Sequence, residues 1–592
     1  MSYAARWTWE FDAPRERLWE YLADTDWVNE HAGLPRIVPR FEPLPEGGTR
    51  KFGAFRRGPI YVEWEEMPTI WRVPEYYSVE RRYTHGPLRR FLNAASFEAL
   101  SPSRTRVVVD LELEAASPII EPLLPLIAAQ GRRGADRAFR LGARLAAHHD
   151  EAVAQTPATG GVFAPLLDAG IAPAVVAALE TFVAAAEDRD LLRMRPYELA
   201  DRWSLARREV LRAFLAATRA GSFNLRWNVI CPGCRGPQPG IDSLGSLKDG
   251  YHCPSCNVPF DAVFDRTVEV TFNARPLGRG GEEGLFCLAS PQRSAHVYAQ
   301  AAIGNGSSET IDVTLPAGAY DFNAVGIGQA PFVAEVGAPD RAARVRIGPS
   351  EVTVPHALGN GSIRFSMDNE AGRDVVVRVE DGRWPDTLVT AAHVTALQEF
   401  RDLFSSEVLA PGLELGIETL AVLFTDLVGS TAMYSRTGDA PAFRIVTDHF
   451  DALREIIARH DGTIVKTIGD AVMAAFTDPA NCFAAAIELD NVVMGIQCEG
   501  TPLRLRVGFH SGPCIAMRAN DRIDYFGTNV NLAARLESLA RAGEVTMAAS
   551  DAAIPKIAQR LAELSAAVTR ESVSVKGFAQ PAEIVRVANV SS

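Results

Sequence analysis

Two carboxylates, a lysine and an asparagine–arginine pair in the last third of the sequence have the types and spacing needed to handle a metal-bound polyphosphate. The apolar run Leu420 to Phe424 reads as a strand that delivers Asp426 at its end. Gly429, Ser430 and Thr431 then turn into a helix whose first amides are free to hold phosphate oxygens. Forty-four positions later, Asp470 follows Gly469 at the tight turn of a β-hairpin that also carries Lys466. Carboxylates on adjacent strand ends can bind a pair of Mg²⁺ or Mn²⁺ ions, one acidifying a hydroxyl and one neutralising a triphosphate. Asn531 and Arg535 stand four apart on one face of a helix, so a polar donor and a guanidinium can address one ligand group. Each aspartate taken alone is as well explained as a turn residue or a helix N-cap. The three blocks together point to phosphoryl chemistry.

A second constellation is made of thiols. Cys231-Pro-Gly-Cys234 and Cys253-Pro-Ser-Cys256 are separated by eighteen residues, the spacing of a zinc ribbon in which two knuckles present four thiolates to a tetrahedral ion. Pro-Gly and Pro-Ser supply the turn-forming residues a knuckle needs. With all four positions filled by cysteine, a structural Zn²⁺ is expected; a disulfide pair or a metal-free descendant are the alternatives.

The elements that position these residues fall into a multidomain α+β chain. Residues 1–155 open with a strand from Ala5 to Phe11, a short helix after Pro14, aromatic-rich extended segments, and a long helix from Pro118 to His149. Residues 160–230 read as helical, and Tyr197 to Thr218 followed by an extended Phe223 to Ile230 has a winged-helix outline. Arginines 202, 207, 208, 212 and 219 there could meet phosphates of DNA, or could belong to a solvated face interleaved with Glu198, Asp201 and Glu209. The ribbon occupies 231–263. A period of two across 264–385, beginning with Val268, Val270 and Phe272, predicts a β-sandwich in which Cys287 is an apolar filler. A linker helix is expected within 386–412, with Val394, Leu397, Phe400, Leu403 and Phe404 as an apolar stripe that either docks on its neighbour or carries a signal. The catalytic blocks lie in 415–592.

The three blocks, in this order and spacing, resemble the class III adenylate and guanylate cyclases, a ferredoxin-like α/β fold, from about Thr419 to Val587. The resemblance implies that Asp426 and Asp470, with the backbone of Leu427, hold the metals, and that Lys466 and Asp524 select the purine. In the family the lysine bonds adenine N1 and the aspartate accepts from the N6 amine, whereas guanylate cyclases commonly have glutamate and cysteine, so the resemblance points to ATP. It gives Asn531 the ribose, Arg535 the charge on the transferring phosphorus, and Lys576 the triphosphate. The departure is Pro513, where some members carry a phosphate-binding arginine. The family site lies between two catalytic domains, one giving the metal aspartates and purine pair, the other the asparagine and arginine. One chain carrying every role implies a homodimer. Residues 1–155 resemble the START-like, polyketide-cyclase-like helix-grip family, which implies an apolar ligand cavity or a scaffold with a filled core.

Composition agrees with a folded, soluble enzyme. The 592 residues are 47% hydrophobic and 22% charged, and a net charge of −13 argues against non-specific binding to nucleic acid or an anionic membrane. The N-terminus lacks a signal-peptide core and the run Pro118 to Ala129 is too short to span a bilayer, so the expected address is the cytoplasm. The resulting expectation is an adenylate cyclase making 3′,5′-cyclic AMP and pyrophosphate under the control of its first 410 residues. A guanylate cyclase, a silent nucleotide or ligand sensor, and a DNA-reading factor are the alternatives.

Overall fold

The computed structural model describes residues 2–45, 47–147, 161–238, 240–279, 284–288, 290–564, 567–578 and 580–588. Strand Ser2–Phe11 is followed by helices Arg15–Leu22 and Thr25–His31, then by an antiparallel meander ending in Leu88–Ser101 and Arg104–Ala115. The last strand returns beside the first, with Trp7 opposite Val109, and helix Leu124–Ala147 packs across the sheet. This is the expected order of strand, helix, meander and long helix. The helix starts at Leu124 rather than Pro118, because Pro125 is tolerated only in a first turn. Its expected end at His149 lies outside the described residues. Rings fill the space between helix and sheet: Trp9 stands 5.1 Å from Phe139 and Trp19 5.3 Å from Phe97.

Strands Val297–Ile303, Gly318–Ala324, Gly328–Glu335 and Val375–Asp381 face a second sheet built on Ser308–Leu315, Ala342–Ile347 and Gly361–Asn369, with Phe322, Phe332 and Phe365 between them. The sandwich is present but not separate. Gln300 and Ala299 pair with Trp71 and Arg72, so one of its sheets runs without a break into the N-terminal meander. Val268, Val270 and Phe272 do not belong to the sandwich, contrary to the boundary at 264, as the next elements explain.

Helix α1 (Pro196–Trp203) and helix α2 (Arg207–Arg219) lead into strand β1 (Asn224–Val229), whose partner is β2 (Val268–Asn273). All six residues of β2 are buried, and Val268, Val270 and Phe272 lie in the core built by these helices. A period of two reports a strand but not which sheet receives it. The helices of the winged-helix outline form part of this core, in which α2 buries Val210, Leu211, Ala213, Phe214, Leu215 and Ala217. Three of the outline's five arginines are paired internally, whereas Arg202 and Arg219 are exposed. Arg207 pairs with Asp201 and Asp386, Arg208 with Glu399 and Asp461, and Arg212 with Glu209.

The expected linker helix is two short ones, α3 (Ala391–Thr395) and α4 (Gln398–Leu403), broken at Ala396-Leu397. Together they form a strap whose Val394, Leu397 and Phe400 are buried in the same core as α2, β2 and one face of the catalytic sheet.

The catalytic region contributes β3 (Glu414–Leu427), α5 (Ser430–Thr437), α6 (Asp439–Arg459), β4 (Gly462–Ile468), β5 (Ala471–Phe476) and α7 (Pro479–Val493). It continues with β6 (Leu505–Ala519), β7 (Arg522–Phe526), α8 (Thr528–Leu539), β8 (Glu544–Ala548), β9 (Ala567–Val573) and β10 (Ala582–Ala588). The sheet order is β4-β5-β3-β6-β8-β10-β9, with β7 folded back on β6. Successive side chains of β3 point to opposite faces. Ala421 and Leu423 join the core under α6 and α7, whereas Leu420 and Val422 join the core shared with the strap and α8.

Helix α8 approaches β6 closely at Gly508, where an added Cβ would lie 2.0 Å from the Glu537 backbone nitrogen. Gly508→Ala must push the helix off the sheet. The expected outcome is a loss of ~1–3 kcal/mol, read as a melting temperature lowered by about 2–10 °C; an unchanged melting curve would refute the contact.

Candidate functional site

Asp426 ends β3 half-buried and lies directly across from Arg506 on β6, with which it forms an ion pair. Arg506 Nε also reaches Glu537 Oε1 of α8 at 3.5 Å. Burial and the Asp426 charge push the Glu537 carboxyl above its ordinary value, opposed by Arg506. Asp470 follows Gly469, whose φ of +67° makes the β4–β5 turn, and its Oδ2 is buried with no hydrogen-bond partner among the described residues. His449 of α6 lies fully buried near both aspartates: burial pushes it down to about 4 against the pull of Asp470 and Asp426, so it is neutral at pH 7. Asp426 and Glu537 thus meet one guanidinium, with Asp470 and the uncharged His449 nearby. An orphaned carboxylate oxygen in such a surplus of negative charge fits a divalent cation.

Leu427 closes β3 with its side chain buried, leaving only its backbone to serve such an ion. Gly429 follows at φ +74° and caps α5 without a side-chain bond, so the amides at Ser430 and Thr431 remain open to an anion. Lys466 of β4 and Asp524 of β7, 58 residues apart, meet at 2.6 Å between Nζ and Oδ2. Asp524 is buried and its Oδ1 accepts the Tyr525 amide, while Lys466 Nζ stands 5.4 Å from the Phe526 ring centroid.

Asn531 and Arg535 share the exposed face of α8 and form no side-chain hydrogen bond or ion pair among the described residues. Glu537, two residues and about 200° further around the helix, is the one that turns to Arg506 and Asp426. A single chain therefore does not bring Asn531 and Arg535 to its own Asp426 and Asp470. Lys576 is exposed in the β9–β10 loop. At Pro513 the carbonyl accepts from Asn529 Nδ2 at 2.8 Å, and Asn529 Oδ1 meets His510, which is held by Asp551. This segment anchors the start of α8.

Arg506, Glu537 and His449 escaped the sequence reading. Arg506 becomes visible only when β3 and β6 are set in register, and His449 is one polar residue on an otherwise ordinary amphipathic helix.

The four ribbon thiols come together, all Sγ atoms within 4.8 Å of one another, and Cys234 to Cys253 at 3.8 Å. A tetrahedral Zn²⁺ with bonds of ~2.3 Å sets sulfurs about 3.8 Å apart. The knuckles repeat each other. Arg235 and Asn257 follow the second cysteine of each at φ +52° and +55°, and their amides bond Cys231 O and Cys253 O, both at 2.8 Å. The donor set fits a structural zinc.

Comparison with known proteins places this geometry. Residues 415–587 match the family described as adenylate and guanylate cyclase catalytic domain, and residues 160–280 match a family of unknown function (DUF5939). Guanylyl cyclase C of Cavia porcellus is 31% identical over 156 residues, which are 24% of this chain and 14% of that one. Retinal guanylyl cyclase 1 of Homo sapiens is 34% identical over 135 residues, 20% of this chain and 12% of that one. The chain thus spans only a small part of the curated relatives it matches. Among solved structures, the adenylyl cyclase CyaB from P. aeruginosa is 25% identical, with 30% of this chain and 97% of that one covered and a TM-score of 0.26. The guanylate cyclase domain of RhGC from Catenaria anguillulae is 21% identical, with 30% and 99% covered and a TM-score of 0.27. The C-terminal part of this mixed α/β chain, residues 415–587, is a nucleotide cyclase catalytic domain of the adenylate and guanylate cyclase kind.

Proposed function

We propose that the protein is an adenylate cyclase that forms 3′,5′-cyclic AMP and pyrophosphate from ATP in a homodimer. The observation that carries the choice of ATP is the contact between Lys466 and Asp524. Lys466 offers a donor to adenine N1, and Asp524, its other oxygen fixed by the Tyr525 amide, offers an acceptor to the N6 amine. The curated relatives named guanylyl cyclases favour GTP as the second reading. Asp426, Asp470 and the Leu427 backbone would hold Mg²⁺ or Mn²⁺, which when bound acidifies the ribose 3′-hydroxyl and neutralises the triphosphate. The amides at Ser430 and Thr431, beside Gly429, with Lys576, take phosphate oxygens. Asn531 orients the ribose, and Arg535 faces the charge on the α-phosphorus. The 3′-oxygen forms its bond to that phosphorus, the bond to pyrophosphate breaks, and the hydroxyl proton leaves to solvent.

The outward placement of Asn531 and Arg535 supports a site shared between two copies. The first 410 residues then regulate how the copies meet, with the ribbon zinc as a structural part. A START-like role for the N-terminal unit rests on its element order, and its ring-filled interior favours a scaffold over a ligand pocket. Among the described residues no helix is long and apolar enough to cross a membrane, and none of the cysteines forms a disulfide. The second fact supports a reducing, cytoplasmic setting.

Three outcomes check this reading. Purified protein given ATP or GTP with Mg²⁺ or Mn²⁺ should favour ATP by about 100-fold in kcat/KM; equal or reversed preference selects the guanylate reading. Asp426→Ala and Arg535→Ala should each abolish activity, while their mixture recovers one functional site per heterodimer, and a mixture as dead as its components would rule out a shared site. Metal analysis should find one zinc per chain that Cys234→Ser releases together with a fall in melting temperature, whereas zinc-free protein with reduced thiols would remove the metal from the account.

A further inference from the structure

The strap reaches the residues on either side of the purine pair. Strand β4 is an edge strand of its sheet, and a register shift between Ile464 and Lys466 re-aims it just before Lys466. The Ile464 amide, next to that shift, is satisfied from outside the catalytic domain. Gln398 of α4, itself buried, accepts through Oε1 from the Ile464 amide at 3.1 Å and from the Thr463 hydroxyl at 3.2 Å. On the other side Arg401 donates through Nη1 to Ile523 O at 3.2 Å, the residue before Asp524, and stands 5.9 Å over the Tyr525 ring, the residue after it. Its Nε is committed to Thr395 O of the strap at 2.9 Å. Between these two anchors lies a cavity of 290 Å³, with Gln398, Arg401, Lys466 and Ile523 on its wall.

We infer that Gln398 and Arg401 are positioning residues that set the separation and aim of Lys466 and Asp524, so that purine affinity and selectivity are under the control of the strap. The inference rests on the nucleotide cyclase reading of the same site. A buried amide without its acceptor costs enough to rearrange a hairpin strand, so losing Gln398 Oε1 lets the bulge relax and swings Lys466 away from Asp524. Losing Arg401 frees β7 from the strap and moves Asp524. Neither residue touches the metal aspartates or the face of Asn531 and Arg535. The consequence is specific: purine binding weakens and the ATP-to-GTP ratio falls, while the chemical step on bound nucleotide is retained.

The test uses full-length Gln398→Met and Arg401→Met, which keep side-chain length and apolar contact but remove the acceptor and the donors. Glu399→Gln is the control, since Glu399 ties the same helix to Arg208 and Arg212 without meeting β4 or β7. The expected result is a KM for ATP raised about tenfold or more and a comparable fall in discrimination against GTP, with kcat within about threefold. Arg401→Lys should recover part of the loss, and Glu399→Gln should leave KM unchanged. If Gln398→Met does not fold, the two Arg401 variants decide alone. Unchanged KM and selectivity in folded variants, or an equal rise in Glu399→Gln, overturns the inference. Wild-type protein that cyclises neither nucleotide overturns the cyclase reading instead, and the two failures are thereby told apart.

Discussion

Strand β3 is apolar on both faces, and the rest of the molecule is arranged around that constraint. A buried aliphatic side chain contributes roughly 1.5–3 kcal/mol over an exposed one, so a strand that turns Ala421 and Leu423 one way and Leu420 and Val422 the other needs cover on both sides. Helices α6 and α7, from within the catalytic domain, cover one face. The other is covered by α8 with the strap and the helical region, which precede the domain in sequence. The part of the chain that precedes the catalytic domain therefore shares a core with it. Polar contacts set its orientation. Arg208 donates to the Ala458 and Arg459 carbonyls at the C-terminal end of α6, where a cation is favoured, and His393 bridges Tyr197 and Thr477.

At the edge of that doubly buried sheet the electrostatics are left incomplete. Arg506 is shared between Asp426 and Glu537, His449 is held neutral by burial, and one oxygen of Asp470 has no hydrogen-bond partner among the described residues. A fold that needed only stability would pair or remove these groups, because a lone buried carboxylate is costly. The arrangement is understandable as a site that completes its charge balance with divalent metal, and Glu537 adds a third carboxyl to the two that the motifs display.

The cysteine-bearing segment contacts three other parts of the chain. Arg235, in the first knuckle, donates to the Asp381 and Arg383 carbonyls of the sandwich, and Asn257 and Pro254 in the second bond Leu44 and Thr49 of the N-terminal unit. Trp227 and the Leu244 amide hold Glu407 at the end of the strap. The hairpin of this segment pairs over only four residues, so its gathered thiols, all within 4.8 Å of one another, and its contacts with three neighbours hold it in place.

Taken by itself, the sequence determined the chemistry-bearing residues and their local settings. Asp426 at a strand end, Asp470 in a glycine turn, Asn531 and Arg535 one helical turn apart, and the paired cysteine knuckles are all set by short-range rules of period, turn and spacing. The pairing of Lys466 with Asp524 was legible only through resemblance, and the structure brings the two together. What only the tertiary structure decided is which surfaces meet: β2 in the helical core instead of the sandwich, one face of α2 buried in that core, the strap broken at Ala396-Leu397, and Arg506, Glu537 and His449 gathered at the aspartates. The physical reason is that hydrophobic periodicity states that a face must be buried but carries no record of its partner, and register between distant strands is settled by packing.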